Sequence, residues 1–171
     1  MKTEAQYMEF FSEHRDTLYR LALNICGDSA EAEDIVQDVF ERVWRARDKV
    51  LSSAYPRAYI CRIVHNLAID RQRTTTRRRT FSIEESVNHS DNSYTYTDIS
   101  DIANLTRQII ASLPEKQRFV IHLRDIEGYE MEEIAEALDM DETNVRMNLS
   151  RARKSVREEL TKCMNYGVKQ N

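Results

Sequence analysis

Tyr7, Phe10, Phe11, His14, Leu18, Leu21, Ala22 and Ile25 recur at spacings of three and four, the period of an amphipathic helix. Gly27 stops that pattern. Asp28 followed by Glu31 has capping-box spacing and predicts a second helix running to about Arg47. On this helix Ala32, Ile35, Val36, Val39, Phe40, Val43 and Ala46 share one broad side and read as core. Asp34, Gln37, Asp38 and Glu41 fall on the opposite side, with Arg45 beside them and Trp44 at the border. Pro56 suits the first turn of a third helix, whose apolar side is Tyr59, Ile60, Ile63, Val64 and Leu67. Arg62, His65, Asn66 and Ile69 are expected to point elsewhere.

The second half repeats the helical period. Ile102, Leu105, Ile109, Ile110 and Leu113 predict a helix ending at Pro114, which opens another through Phe119, Val120 and Leu123 until Gly128. Tyr129, Ile134, Ala135 and Leu138 then indicate a short helix, Asp139 to Asp141 a tight turn, and Glu142 onward a long helix. Short helix, three-residue turn and basic helix together make a helix-turn-helix. In the last helix Val145, Leu149, Ala152, Val156 and Leu160 form a narrow core seam. Thr143, Arg146, Met147, Ser150, Lys154 and Arg157 face away, flanked by Arg151 and Arg153.

Composition narrows the class. Only 3 Gly and 2 Pro in 171 residues are too few for the turns of a sandwich or barrel, so the fold class expected is all-α, as two small helical units. Charged residues make up 32% and the mean hydropathy is −0.64, which places the chain with soluble proteins. No apolar run reaches the roughly 18 residues of a spanning helix, and Met1 to Phe10 carries Glu4 and Glu9 where a secretory signal needs an apolar stretch. The cytoplasm is the expected location. Cys26, Cys61 and Cys163 fit neither a disulfide framework nor a paired zinc site.

The net charge of −4 hides a change of sign along the chain. Residues 57–79 hold seven arginines against Asp70 alone; residues 81–105 hold five carboxylates and no Lys or Arg; residues 142–171 hold seven Lys or Arg against three Glu. Two basic surfaces are separated by an acidic stretch whose polar run, Asn88 to Thr97, has the composition of a flexible linker. Such surfaces are either solvated or paired with each other, or they bind a polyanion that spans both. Amides, hydroxyls and guanidinium groups with nearby aromatics in the first patch suit an unstacked base and its phosphates. A positive helix in the second can enter a major groove. No enzyme is expected: the chain has no glycine-rich phosphate loop, and its His, Cys and carboxylates have no metal-ligand spacing, so neither cofactor nor metal is anticipated. A stand-alone helix-turn-helix regulator accounts only for residues 113–160, and a helical RNA-binding protein remains open, since basic and aromatic surfaces do not separate RNA from melted DNA.

The runs AEDIVQDVFERVW (Ala32 to Trp44), YICRIVHNLAIDRQR (Tyr59 to Arg73) and the stretch Leu113 to Leu160 resemble a group IV, or extracytoplasmic function (ECF), sigma factor of bacterial RNA polymerase. The resemblance implies a sigma domain 2 over residues 4–79, a linker over 80–100 and a sigma domain 4 over 101–163, with no catalytic site. It implies three partners: core RNA polymerase, promoter DNA and an anti-sigma factor. Asp34, Gln37, Asp38, Glu41 and Trp44 would dock on the clamp helices of the largest polymerase subunit. Tyr59, Arg62, Asn66, Asp70, Arg71 and Arg73 would open the minus 10 element and capture a flipped base. Thr143, Asn144, Arg146, Met147, Ser150, Arg151 and Lys154 would read the minus 35 element as duplex. Asp139 stands in the turn where many relatives carry glycine; aspartate tolerates left-handed backbone there.

Overall fold

The computed structural model describes residues 4–81 and 99–168, and among these it contains helices and no strand. Helix α1 (Glu4–Cys26) ends where Gly27 turns left-handed at φ 73°, its N–H closing on the Leu23 carbonyl at 2.8 Å. Asp28 then caps α2 (Ser29–Arg45), its carboxylate accepting the Glu31 N–H at 2.8 Å. This helix stops two residues before the expected Arg47. Ala46 leaves the helical region at φ −110°, ψ 17°, and a separate short helix α3 (Arg47–Ser52) starts there. Val50 and Leu51 of α3 are buried in the bundle. Pro56 begins α4 (Pro56–Phe81).

Helices α1, α2 and α4 pack on one another around Tyr7, Leu18, Leu21, Ile35, Val39, Val43, Ile60 and Val64, with α3 against α4. Each aliphatic side chain so buried contributes about 1.5–3 kcal/mol relative to exposure. Tyr7 is the pin of this core: its ring meets Phe11, Phe40 and Trp44 at centroid distances of 6.0, 5.8 and 5.2 Å, and its hydroxyl donates to the Phe40 carbonyl at 3.1 Å. Burial pushes its phenol up to about 12.

The second unit comprises α5 (Ile99–Ser112), α6 (Glu115–Ile121), α7 (Met131–Leu138) and α8 (Glu142–Val168). The helix opened at Pro114 does not run evenly to Gly128: its last turn, His122–Ile126, is π-helical, and Gly128 at φ 71° then reverses the chain. Asp139 sits left-handed at φ 54°, the Met140 N–H closing on the Ala135 carbonyl at 3.0 Å, and Asp141 caps α8 by accepting the Asn144 N–H at 2.8 Å. The seam Val145, Leu149 and Ala152 is buried against α6 and α7, while Val156 and Leu160, also expected in it, are half-buried.

The two units share one core, which the acidic-linker pattern alone does not convey. Helix α4 packs directly against α7, and a continuous apolar cluster runs from Tyr7 and Leu18 through Cys61 and Ile69 to Tyr129 and Ile134. Ile69, expected to point away from the core, is only 4% exposed, because a second wall covers the flank of α4 that the periodicity left to solvent. Most of the stretch 80–100, read as a linker, lies outside the described residues.

Candidate nucleic-acid interface

On α8 the core seam leaves an outward face. Thr143, Asn144, Arg146, Met147, Ser150, Arg151 and Lys154 are all exposed there. Arg146 reaches back to Glu142 at 2.8 Å, an exposed pair that water screens, and Lys154 lies 3.8 Å from Glu158. Asn144 has a second task, its side-chain amide donating to Asp141 at 2.5 Å. Arg153 is held instead by Asp125 of the π-turn at 2.5 Å. A shallow cleft lined by Met131, Arg146, Ser150, Lys154 and Arg157 runs along this side, so that four of these side chains are cationic or hydroxyl-bearing.

The α2 stripe is less uniform. Asp34, Gln37 and Glu41 are exposed, as an acidic docking face requires. Asp38 is half-buried and accepts a hydrogen bond from Arg71 on α4 at 2.5 Å, so one member of the expected polymerase stripe holds one member of the expected minus 10 set. Trp44 is half-buried among Tyr7, Phe40 and Arg47, the Arg47 guanidinium lying 5.0 Å from its ring centre; much of its surface serves the core.

The α4 residues divide in the same way. Asn66 and Asp70 are exposed and Tyr59 half-buried, with the Lys49 ammonium 6.0 Å over its ring. Asp70, Arg71, Thr74 and Thr75 line a cleft closed on its far side by Glu31 and Arg42 of α2. Arg62 and Arg73 are not free: Arg62 lies 3.3 Å from Asp139, and Arg73 lies 3.9 Å from Glu115. The side chains of Arg77 to Arg79 lie outside the described residues.

Sequence reasoning did not single out the residues that join the units. Arg57 donates to both oxygens of Glu133, its Nε to Oε1 at 2.5 Å, and stacks over Tyr129 at 4.3 Å. Glu133 also accepts the Glu130 N–H at 3.0 Å, the cap of α7. The hydrogen bond to Glu133 raises the Arg57 guanidinium above its ordinary value. The thiol of Cys61 meets the Tyr129 hydroxyl at 3.3 Å; burial pushes that thiol up to about 12, which leaves it protonated and unreactive in this state. Glu127, its side chain 5% exposed, accepts from Arg20 at 2.8 Å and from Thr17 at 2.9 Å. Burial alone would raise its carboxyl, but the hydrogen bonds from Arg20, His122 and Thr17 outweigh it and hold the group well below the usual carboxylate range. His122 Nε2 lies 3.3 Å from the same carboxylate. His65 packs edge-on against Phe119 at 4.4 Å with Nε2 3.4 Å from Glu115, and burial holds its imidazole below its ordinary value. The signal available in the sequence was slight: Glu130 and Glu133 have cap spacing, and Arg57 had been visible only as part of a charge sum.

Comparison with known proteins fits this architecture. The Sigma-70 region 2 family matches residues 10–78 and the Sigma-70, region 4 family matches residues 103–156. The ECF RNA polymerase sigma factor SigE of Mycolicibacterium smegmatis is 31% identical over 90% of this chain, which spans 61% of that protein's length. SigL of Mycobacterium tuberculosis, also an ECF RNA polymerase sigma factor, is 30% identical over 86% of this chain and 84% of its own. Among solved structures, the sigma factor RpoE in complex with the anti-sigma factor NepR from Bartonella quintana superposes with a TM-score of 0.72 over 91% of this chain and 97% of that one, at 23% identity; the likeness is one of fold. With both helical units matched and a relative aligned over most of both lengths, the chain belongs to the ECF RNA polymerase sigma factor family.

Proposed function

We propose that this sigma factor docks on core RNA polymerase through Asp34, Gln37, Asp38, Glu41 and Trp44, opens the minus 10 element with Tyr59, Arg62, Asn66, Asp70, Arg71 and Arg73, and reads the minus 35 element with Thr143, Asn144, Arg146, Met147, Ser150, Arg151 and Lys154. It directs promoter recognition and transcription initiation in the cytoplasm, under the control of an anti-sigma factor. Residues 4–79 act as domain 2, 80–100 as the linker and 101–163 as domain 4.

The observation that carries this reading is the outward row Arg146, Met147, Ser150, Arg151 and Lys154 on α8, exposed above a buried seam and preceded by a left-handed turn. The physical division follows from the substrates. Duplex offers phosphates and groove edges, which a rigid basic helix meets without deforming them. Strand separation without ATP requires that holding a splayed base and its phosphates offset unstacking, which suits the cleft of Asp70, Arg71, Thr74 and Thr75 beside the amide of Asn66. Domain 4 supplies register, and linkage raises the effective concentration of domain 2 at the same promoter.

The test is reconstitution with core polymerase. The chain co-elutes with core on size exclusion, and the complex transcribes from a randomised promoter pool; absence of any complex refutes the reading. Because Asp38 also holds Arg71, Asp34→Arg with Glu41→Arg is the cleaner probe of the stripe, weakening core binding on the order of tenfold while leaving DNA binding unchanged.

A further inference from the structure

Helices α2 and α4 enclose a groove of about 390 Å³ on the flank of the first unit, at the lower end of the range of about 300–1,000 Å³ in which small organic groups are held. That space suits part of one extended strand. Arg71 and the hydroxyls of Thr74 and Thr75 reach it from α4, while α2 contributes Glu31 and Arg42. Arg42 belongs to none of the three residue sets assigned above. At the helical period it lies about 90° round α2 from the middle of the acidic stripe, on the flank that faces α4 rather than the surface offered to polymerase. Its side chain is exposed, and among the described residues its guanidinium has neither an ion pair nor a hydrogen bond.

Arg71 is placed differently. Asp38, one helical turn before Arg42 on α2, accepts the Arg71 guanidinium at 2.5 Å and fixes it at the lip of the groove. A planar fork held in this way loses less rotamer freedom on meeting a ligand, but the pairing also offsets its charge. Arg42 therefore restores the positive charge at that end. Glu31 lies eleven residues back, about 16 Å along the same flank, so an anion is favoured beside Arg42 and disfavoured at the far end. The Thr74 hydroxyl is committed to the Asp70 carbonyl at 2.9 Å, whereas the exposed Thr75 hydroxyl has no such bond and is available to donate. Asp70 is the second carboxylate of the lining. Two carboxylates repel a free phosphate dianion, but a singly charged diester linked to bases also brings exocyclic amines that carboxylates accept.

We infer that Arg42 is a further single-strand contact: its guanidinium pairs with one phosphodiester of the separated minus 10 strand in the groove between α2 and α4, across from Arg71, which Asp38 holds as a positioning residue. This rests on the reading of α4 as the minus 10 helix and adds α2 to the surface that holds the open strand. Helix α2 then serves two ligands on two flanks, its acidic stripe meeting polymerase and its Arg42 flank meeting DNA.

The test uses the full chain reconstituted with core polymerase, on a promoter recovered from the randomised pool and made with its minus 10 segment already unpaired by mismatches. Arg42→Ala is compared with the parent while each linkage of the unpaired strand is replaced in turn by a neutral methylphosphonate. The variant is expected to bind this template about twofold to fivefold more weakly and to lower the slope of log affinity against log salt by about 0.7. One methylphosphonate position costs the parent the same factor, and that position becomes silent in Arg42→Ala while the others keep their cost. Arg42→Lys, which retains the charge, restores the slope. Core polymerase and the minus 35 duplex bind the variant as they bind the parent. Unchanged affinity for the open template overturns the inference, and so does a variant in which every linkage keeps its parental cost, since Arg42 then touches no phosphate. A weaker core complex overturns it too, by placing Arg42 on the polymerase surface. Should Arg42→Ala melt at a lower temperature, the same linkage scan on Arg42→Gln decides between these outcomes. Failure of the promoter reading is seen separately, as a parent chain that forms no core complex or transcribes nothing from the pool.

Discussion

Replacing Glu127 by glutamine keeps the size and shape of the side chain while removing its charge. Its carboxylate takes Arg20 on both oxygens at 2.8 Å and Thr17 at 2.9 Å, at a position only 5% exposed. Hydrogen bonds to a charged group are worth about 1.5–3 kcal/mol each in mutational series. Arg20, however, is 48% exposed and regains water when its partner is neutralised, so the total falls toward the low end, about 2 kcal/mol. For a chain of this size about 2–4 °C is lost per kcal/mol, giving a fall in Tm of about 4–8 °C at pH 7. The sign of the pH dependence follows from the direction of the shift. The folded carboxyl lies below its unfolded value of about 4.3, so the stabilisation is fully present above that pH and fades as pH falls toward the folded value. Each pH unit below about 4.3 removes about 1.4 kcal/mol, so most of the advantage of the parent chain over Glu127→Gln is gone by about pH 3. Paired thermal melts at pH 7, 5 and 3, followed by far-ultraviolet circular dichroism, read both quantities. Equal Tm values at pH 7, or a gap that stays constant on acidification, refute the account of Glu127 as a charged clasp between α1 and the π-turn.

Leu149→Ala opens a cavity beneath α8, where the side chain is 3% exposed, and costs about 2–5 kcal/mol, seen as a loss of duplex binding that follows the melting curve of the second unit. Asp141→Ala removes the cap of α8 and costs about 1 kcal/mol; an unchanged denaturant midpoint would show that the Asn144 N–H finds another acceptor. Arg146→Ala leaves core polymerase binding intact but lowers minus 35 duplex affinity by about 1–3 kcal/mol if the side chain meets a base, with discrimination lost at one position, and reduces the salt slope by about one if it meets only phosphate.

The helical units were legible because each buries one face of each helix. Leu18, Ile35, Val39, Val64 and Val145 repeat at the helical period, and all are fully buried. Asp28, Gly27, Gly128 and Asp139 mark their turns through chemistry that is local: a side-chain acceptor for an orphan N–H, or tolerance of positive φ. The α2–α3 break is not legible in the sequence because Ala46 carries no breaker signal, and Val50 repeats the period of Val43 as if the helix ran on. The exposed α8 row was readable for the complementary reason, since among the described residues no second wall covers that face.

Local chemistry along the chain therefore carries everything decided within a few turns of one helix: the all-α class, the order of elements, the helix-turn-helix and the uneven distribution of charge. Which charges are free is settled by packing between distant segments. Arg57, Arg62 and Arg73 are indistinguishable along the chain from any arginine of a basic patch, and Glu115, Glu127 and Glu133 from any solvated acid. Their pairing depends on two units meeting across some 42 to 107 positions of sequence, Arg73 with Glu115 being the shortest such separation and Arg20 with Glu127 the longest. A residue's periodicity reports that a face is covered, not by what, so the partner of a polar face is set by long-range packing alone.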